Sequence, residues 1–333
     1  TYKFNQTLND YPIIQADNNN LIAWYKFDLG EELTDSKGNY PLTNDGSVTF
    51  SSDTKIIGKS SYFPNTDYDG YLNITGDFNP FNIWNGNGIS FSIWYNLNHS
   101  GTDTYGRIFE FGSSNTSRFS ITTKDNGSNV IALQLYNNSW LGNVAVGSGT
   151  LDDIWHHLVW SIDTTGNWTC YIDGINQNIN IIASIPNMSF TLNRLGKSIY
   201  HDTDSQDLKG YLDDFRVYNK ALIENEVLLL YNQYNQTKYQ LTLTDNVECD
   251  ILIVAGGGGG GAGVGYGCGG GGGAGGLIYK TNQILNGTYD IFVGKGGLGM
   301  TYTYSTMENY NNGTDSGIYN SSENILYLTK GGG

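Results

Sequence analysis

The sequence predicts an all-β protein: an antiparallel two-sheet jelly-roll sandwich with one short C-terminal helix, followed by a glycine-rich β domain. The 333 residues include 25 Tyr but only 5 Pro, and this Tyr-, Asn-, Ser- and Thr-rich composition favours strands and turns. Short stretches of alternating apolar and polar residues are separated by turn clusters such as Asn85–Gly88, which is typical of a sandwich. Of the 45 Gly, 16 lie within residues 256–276, which sets the last part of the chain apart.

The first elements follow from the alternation of apolar residues. Residues 1–20 carry few apolar side chains, and we predict that this N-terminal extension pairs with the open sheet edge of a neighbouring subunit. Strands are predicted at Leu21–Asp28, Ser90–Leu97 and His156–Asp163, where every second residue is apolar.

The later elements divide the chain into two domains. The apolar positions of Ala221–Tyr234 predict the helix that closes the sandwich domain, placed at 21–236. The glycine-rich β domain is placed at 237–333 and is either complete or truncated at its end. It begins with predicted strands at Tyr239–Thr244 and Cys249–Ala255, the second of them buried.

Five segments of the sandwich domain carry a family resemblance. In chain order they read LIAWYKFD at Leu21–Asp28, TDSKGN at Thr34–Asn39, WHHLVW at Trp155–Trp160, YIDG at Tyr171–Gly174 and GYLDDFRVYN at Gly210–Asn219. This order resembles laminin-G-like domains of the concanavalin A-like group. The resemblance implies a two-sheet antiparallel jelly roll that binds glycans or proteins, or serves as a structural module, and often carries one structural Ca²⁺.

The glycine-rich segment carries a second resemblance. An apolar run at Asp250–Val254 precedes the long Gly run, and Gly287–Gly297 and Gly317–Ser322 follow it. This order is similar to a glycine-rich domain of phage tail proteins and of surface proteins of large eukaryotic viruses and protists. It implies a structural or attachment role. We therefore interpret Gly256–Gly276 as extended chains of three residues per turn that pack side by side, rather than as a flexible linker.

One carboxylate is a candidate metal ligand. Alternation places Asp213 on the apolar face of its strand and Asp214 on the opposite face, and a carboxylate on a core face needs a cation or several hydrogen bonds. The resemblance implies that Asp35 and Asn39 complete a Ca²⁺ site with Asp213. The alternative is that backbone N–H groups or Arg216 satisfy Asp213.

Asn-x-Ser/Thr sequons suggest a glycosylated surface, although an Asn-rich composition alone would also produce several of them. The twelve sequons begin at Asn5, Asn73, Asn98, Asn115, Asn126, Asn137, Asn167, Asn187, Asn235, Asn286, Asn312 and Asn320. Cys170, Cys249 and Cys268 are either free thiols or include one Cys249–Cys268 bridge.

Several function classes are disfavoured. A net charge of -15 with no basic stripe argues against nucleic-acid binding, and no apolar stretch is long enough for a membrane helix. Glu110 has no second acid beside it on its strand, as a retaining glycosidase would need, so we expect no enzyme activity. His156 and His157 are adjacent, and in a strand they point to opposite faces and cannot share a metal.

The sequence therefore predicts a non-enzymatic, N-glycosylated structural protein, extracellular or at a cell or virion surface. It would assemble with copies of itself into a filament, fibre or surface layer. The alternative is a glycan-binding adhesin or lectin-like module, either dependent on Ca²⁺ or independent of it, with carbohydrate as its partner.

Overall fold

The computed structural model describes residues 3–7, 19–52, 54–56, 58–64, 70–98, 105–124, 130–199, 207–232, 236–261, 270–297, 302–303, 306–307, 312–320 and 324–333. The chain divides into two compact units. We call Ala16–Leu228 the sandwich unit, and Leu229–Gly333 together with the N-terminal strand the glycine-rich unit.

The sandwich unit is built almost entirely of strands. They are β2 (Leu21–Tyr25), β3 (Leu42–Gly46), β4 (Thr49–Ser51), β5 (Ser60–Phe63), β6 (Gly70–Ile74), β7 (Ile89–Asn98), β8 (Arg107–Ser114), β9 (Ser117–Lys124), β10 (Val130–Asn137), β11 (Trp140–Val146), β12 (Asp152–Ile162), β13 (Trp168–Ile172), β14 (Ile175–Asn176), β15 (Leu192–Leu195) and β16 (Gly210–Tyr218). The helices of the described residues are α1 (Pro80–Trp84) and α2 (Glu224–Asn232).

These strands form two antiparallel sheets that face each other. One has the order β11-β10-β9-β8-β15-β6-β3, and we call it the seven-stranded sheet. The other has the order β14-β13-β12-β7-β16-β5-β4, with β2 also paired to β16. This arrangement confirms the predicted all-β sandwich, and α2 confirms the short helix after it.

Aromatic side chains join the two sheets. Phe91 of β7 contacts Phe109 and Phe119 of the opposite sheet, with ring centroids 5.0 and 5.4 Å apart. The apolar residues predicted to share one face of β7 are all buried in this core, as alternation requires. Burial of this aromatic surface is the main term that holds the sandwich together.

The glycine-rich unit is organised around one long hairpin. Its strands are β1 (Lys3–Thr7), β17 (Gln236–Val254), β18 (Leu277–Gly294), β19 (Tyr302–Thr303), β20 (Thr306–Met307), β21 (Ser316–Asn320) and β22 (Asn324–Thr329). The main sheet has the order β1-β17-β18-β21-β22. The two strands predicted within 236–255 are thus one strand of 19 residues, in which two register shifts interrupt the alternation.

The N-terminal strand pairs within its own chain. Lys3–Thr7 of β1 lies antiparallel to Lys238–Thr242 of β17. The sequence suggested a neighbour's sheet edge as the partner of this segment. Exchange of the strand between copies stays a prediction.

The glycine runs pack directly against one another. The N–H groups of Ala255, Gly258 and Gly261 donate to the carbonyls of Gly276, Gly273 and Gly270, at 2.9, 2.7 and 2.8 Å. Every third residue is bonded, which is the spacing of an extended helix with three residues per turn. The carbonyls of Gly256 and Gly257 accept hydrogen bonds from Gly332 and Gly297, so a third and a fourth chain segment join the bundle.

The observed helix is shorter than the helix that the apolar pattern predicted. It was expected over Ala221–Tyr234, and α2 runs from Glu224 to Asn232. The Glu226 carboxylate accepts the Ile223 backbone N–H at 3.1 Å. This bond caps the N-terminus of the helix, so the helix begins after Ile223 and not at Ala221. Within the described ranges, the helices are too short and too polar to cross a bilayer.

Candidate functional site

The outward face of the seven-stranded sheet carries an unbroken polar row. One residue from each strand lies in register with the next, and the residues are Asn143, Gln134, Ser120, Glu110, Arg194, Asn73 and Thr43. Ser120 Oγ donates to Gln134 Oε1, and Gln134 Nε2 donates to Asn143 Oδ1, each at 3.4 Å. Their chain neighbours point into the core, so alternation alone brings these seven side chains to one face. We call this set the polar row.

A second row lies beside it on β9, β10 and β11. Arg118 is paired with Tyr136, and Tyr136 with Trp140. The Arg118 guanidinium lies 4.6 Å from the Tyr136 ring centre and 5.4 Å from that of Trp140, and the two rings meet edge to face at 5.0 Å. The Trp140 side chain is nevertheless 48% exposed. We call these three residues the aromatic row.

The centre of the polar row is covered. Glu110 is fully buried and forms an ion pair with Arg107, Oε2 to Nε at 2.6 Å. The Ile199 N–H donates to its other oxygen at 2.6 Å. The segment 196–199 therefore lies over the middle of the sheet, and Asn143 and Trp140 of β11 stay exposed.

This exposed part combines two kinds of surface. A half-exposed indole, held in place by the ring of Tyr136 and the cation of Arg118, offers a flat apolar face. Asn143 is exposed beside it, and because its Oδ1 accepts the Gln134 amide, its NH₂ group is the part left to donate to a ligand. Such a pair of surfaces matches a sugar ring, whose C–H face packs on an aromatic ring while its hydroxyls bond to amides.

The predicted calcium ligands lie elsewhere in the sandwich unit. Asp35 is buried, and its carboxylate accepts four backbone N–H groups at 2.8–3.0 Å, from Trp24, Lys37, Asn39 and Tyr40. Two N–H groups on each oxygen occupy the lone pairs that a cation would use. Asn39 donates its amide to the Ile22 carbonyl at 3.0 Å.

Asp213 likewise accepts backbone N–H groups. Its oxygens accept from Ile56 and Asp214 at 2.8 and 2.7 Å, which is the alternative to calcium drawn from the sequence. Within the part of the chain that the structure describes, no group of three or more His, Cys, Asp or Glu is arranged to hold a metal. The Asp35 geometry does not fit Ca²⁺, and a calcium requirement stays a prediction.

The expectation that Asp213 shares the apolar face of Val217 is wrong, because Asp213 is paired with Trp94 and Val217 with the core residue Phe91. Asp214 has φ +47°, and the register with β7 shifts between Asp213 and Arg216. Both carboxylates are consequently buried, and Asp214 pairs with Arg216, Oδ1 to Nε at 3.0 Å. The Trp24 indole N–H also donates to Asp214, at 2.6 Å.

The adjacent histidines have separate partners. His156 lies between Asp152 and Asp173, with N–O distances of 3.1 and 2.6 Å. Burial lowers its pKa, but the hydrogen bonds and charges of Asp173 and Asp152 outweigh it, so the net shift is upward. His157 contacts Ser92 at 2.8 Å, and burial lowers its pKa to about 4.

The sequons and cysteines are distributed as follows. Exposed sequon asparagines are Asn115, Asn167, Asn187, Asn286 and Asn312, and partly buried ones are Asn73, Asn137 and Asn320. The side chains of Asn5 and Asn98, and all of Asn126 and Asn235, lie outside the described residues. Cys170 and Cys249 are free thiols, and Cys268 lies outside the described residues.

The sequence did not reveal the aromatic row. Trp140 follows a turn and shows no alternation of its own, and Arg118 and Trp140 are 22 positions apart. Only the register of three strands brings these residues together. The one available signal was a Tyr-x₃-Trp spacing across the Asn138–Ser139 turn, which a hairpin prediction would have placed side by side.

Comparisons with known proteins agree with the two-part architecture. Residues 66–228 match the family model of the concanavalin A-like lectin/glucanases superfamily, and residues 235–333 match that of the glycine-rich domain. Both resemblances drawn from the sequence are thereby confirmed. No curated protein matches the chain.

Solved structures show the same fold at low identity. The binding domain of botulinum neurotoxin DC in complex with rat synaptotagmin II is 17% identical, with a TM-score of 0.53, over 94% of this chain and 78% of that one. The same toxin's binding domain with SialylT is 15% identical, with a TM-score of 0.50, over 92% and 72%. The binding domain of paraclostridial mosquitocidal protein 1 is 14% identical, with a TM-score of 0.51, over 94% and 81%.

Proposed function

We propose that this chain, a concanavalin A-like jelly roll followed by a glycine-rich domain, is a non-catalytic glycan-binding module of an extracellular or surface protein. The observation that carries the proposal is the exposed Trp140, fixed in the aromatic row and flanked by the exposed amide of Asn143. A binding domain of this fold solved with SialylT is consistent with the proposal.

The electrostatics of the face favour binding over catalysis. A glycosidase needs two carboxyl groups that flank the glycosidic bond and can reach the substrate. Glu110, the carboxylate at the centre of the polar row, is instead paired with Arg107 and covered by Ile199. We therefore propose that its role is to anchor the covering segment.

A Trp140→Ala variant tests the proposal on a glycan array. We expect the wild-type protein to bind a subset of glycans and the variant to lose about tenfold or more in affinity, or ~1.4 kcal/mol, because the stacking face is gone. Ile175→Ala is the matched control, since Ile175 is 61% exposed in the same unit but lies outside both rows.

Two outcomes would decide against it. Wild-type protein that binds no glycan, or binding that Trp140→Ala leaves unchanged, would rule out this face. A parallel array with a chelator tests the calcium prediction, and the occupied lone pairs of Asp35 lead us to expect no change.

Self-association is the second candidate function, and it has an observation of its own. Leu252 pairs with Tyr279 and Val254 with Leu277 at one end of the β17–β18 hairpin. All four side chains are 51–63% exposed, and together they form one apolar patch. Because β1 pairs only with Lys238–Thr242, the β17 edge beside this patch has no strand partner among the described residues. A second copy would extend that edge and cover the patch.

N-linked glycans would belong to the same surface setting. We propose occupancy at the exposed sequons, because an acceptor Asn must be accessible. Loss of mass on enzymatic N-glycan release from the native protein measures it, and an unchanged mass would exclude a glycan coat.

A further inference from the structure

The sandwich unit has a cleft that the aromatic row does not use. It has a volume of about 320 Å³, at the lower end of the range for small-molecule sites. Its lining residues come from β2, the turn before β3, the region around α1 and the turn after β16, and they are Ile22, Tyr40, Asp77, Asn79, Asn82, Ile83, Asn85, Asn87 and Asn219.

Two of the cleft amides have fixed orientations. Asn79 Oδ1 accepts the Asn82 backbone N–H at 3.2 Å, and Asn219 Oδ1 accepts the amide of Asn20 at 3.0 Å. Each oxygen is thereby engaged within the protein, which leaves the NH₂ group as the part that a ligand can meet. The cleft thus has two oriented donors before any ligand arrives.

Four other polar side chains of the cleft are exposed to solvent, those of Asp77, Asn82, Asn85 and Asn87. In the described residues, the side chains of Asp77 and Asn87 make no hydrogen bond or ion pair, and the same holds for those of Asn82 and Asn85. Burial raises the pKa of Tyr40, and the charges of Asp35 and Asp77 add to the shift, so its hydroxyl stays protonated as a donor.

We propose that this cleft binds one neutral sugar unit, with the Asp77 carboxylate as acceptor and the amides of Asn79 and Asn219 as donors. A sugar hydroxyl donates one hydrogen bond and accepts others, so a carboxylate beside amide NH₂ groups satisfies a pair of neighbouring hydroxyls. Ile22 and Ile83 supply apolar walls for the C–H groups.

The charge of the cleft selects among ligands. No Lys or Arg lines it, and Asp77 would repel a carboxylated or sulfated sugar. Ca²⁺ takes about 6–8 oxygens, usually with several carboxylates, and this cleft offers one carboxylate. A neutral polyhydroxyl ligand fits this set of groups better than an anion or a cation.

Side-chain amide signals of the isotope-labelled full chain provide the test. Methyl glycosides of neutral hexoses and N-acetylhexosamines are titrated one at a time, with glucuronic acid and Ca²⁺ as separate arms. We expect at least one neutral glycoside to shift the Asn79 and Asn219 amide signals, and Asp77→Asn to weaken it about tenfold through loss of a charged hydrogen bond.

The controls separate this cleft from the aromatic row. Trp140→Ala should leave the cleft shifts unchanged, and Asp245→Asn, an exposed aspartate of the glycine-rich unit, should do the same. Neutral glycosides that shift only signals near Trp140 would overturn the inference while the proposed function stands. Shifts caused by Ca²⁺ or glucuronic acid alone would overturn it as well, as would no shift in any arm at millimolar ligand.

Discussion

His156 and His157 are neighbours in β12, yet their environments shift their pKa values in opposite directions. The raised pKa of His156 means that its stabilising pairs with Asp152 and Asp173 are fully present below the unfolded-state pKa of about 6.5 and are lost as pH rises through the folded-state value. The lowered pKa of His157 has the opposite effect on how stability depends on pH. The unfolded chain protonates first, so stability falls as pH drops from about 6.5 to about 4, by roughly 3 kcal/mol in total.

Two single variants separate these effects. Denaturant unfolding measured from pH 4 to 8 should show that His157→Gln flattens the acid side of the stability curve, because the buried titrating group is gone. His156→Gln should instead remove the decline on the neutral side. Identical curves for both variants would contradict the assignment of the two shifts.

At the scale of elements, the alternation of apolar residues predicted the buried side chains of the sandwich better than the side chains on its surface. The core face of β7 was identified residue by residue, since burial enforces a period of two. Asp214, at φ +47°, and the two register shifts of β17 broke that period, so the buried Asp214–Arg216 pair and the true length of β17 were missed. The aromatic row depends on the pairing of three strands, and no single segment encodes that pairing.

The glycine bundle allows a matched test of close packing. A Cβ on Gly258 would clash with the Gly333 carbonyl, whereas a Cβ on Gly271 would meet nothing within 4 Å. We expect Gly258→Ala to destabilise the glycine-rich unit by about 1–3 kcal/mol, as overpacking does. Gly271→Ala should be neutral or slightly stabilising, because it reduces the entropy of the unfolded chain. Thermal unfolding of the two variants measures the difference, and equal destabilisation would mean that the runs do not pack as described.

For the whole molecule, the prediction concerns association of two copies of the chain through the glycine-rich unit. If the patch of Leu252, Val254, Leu277 and Tyr279 is covered by a second copy, the sedimentation coefficient should rise with protein concentration. Leu252→Asp should abolish that rise, since it would bury an unpaired charge. Leu29→Asp is the control, because Leu29 is 79% exposed in the sandwich unit and lies outside the patch. Concentration-independent sedimentation of the wild type, or equal effects of both substitutions, would exclude the patch as an interface.

A deletion of residues 1–18 distinguishes two forms of association. Since β1 pairs with β17 in its own chain, removing it should expose five residues of the β17 edge and lower the stability of the glycine-rich unit. If copies join through the apolar patch, oligomers persist after the deletion, because the patch is intact. If the strand is exchanged between copies, the deletion converts oligomers to monomers, and Leu252→Asp leaves them unaffected. The two variants therefore give opposite patterns, and sedimentation of both at one concentration series decides between a patch interface and an exchanged strand.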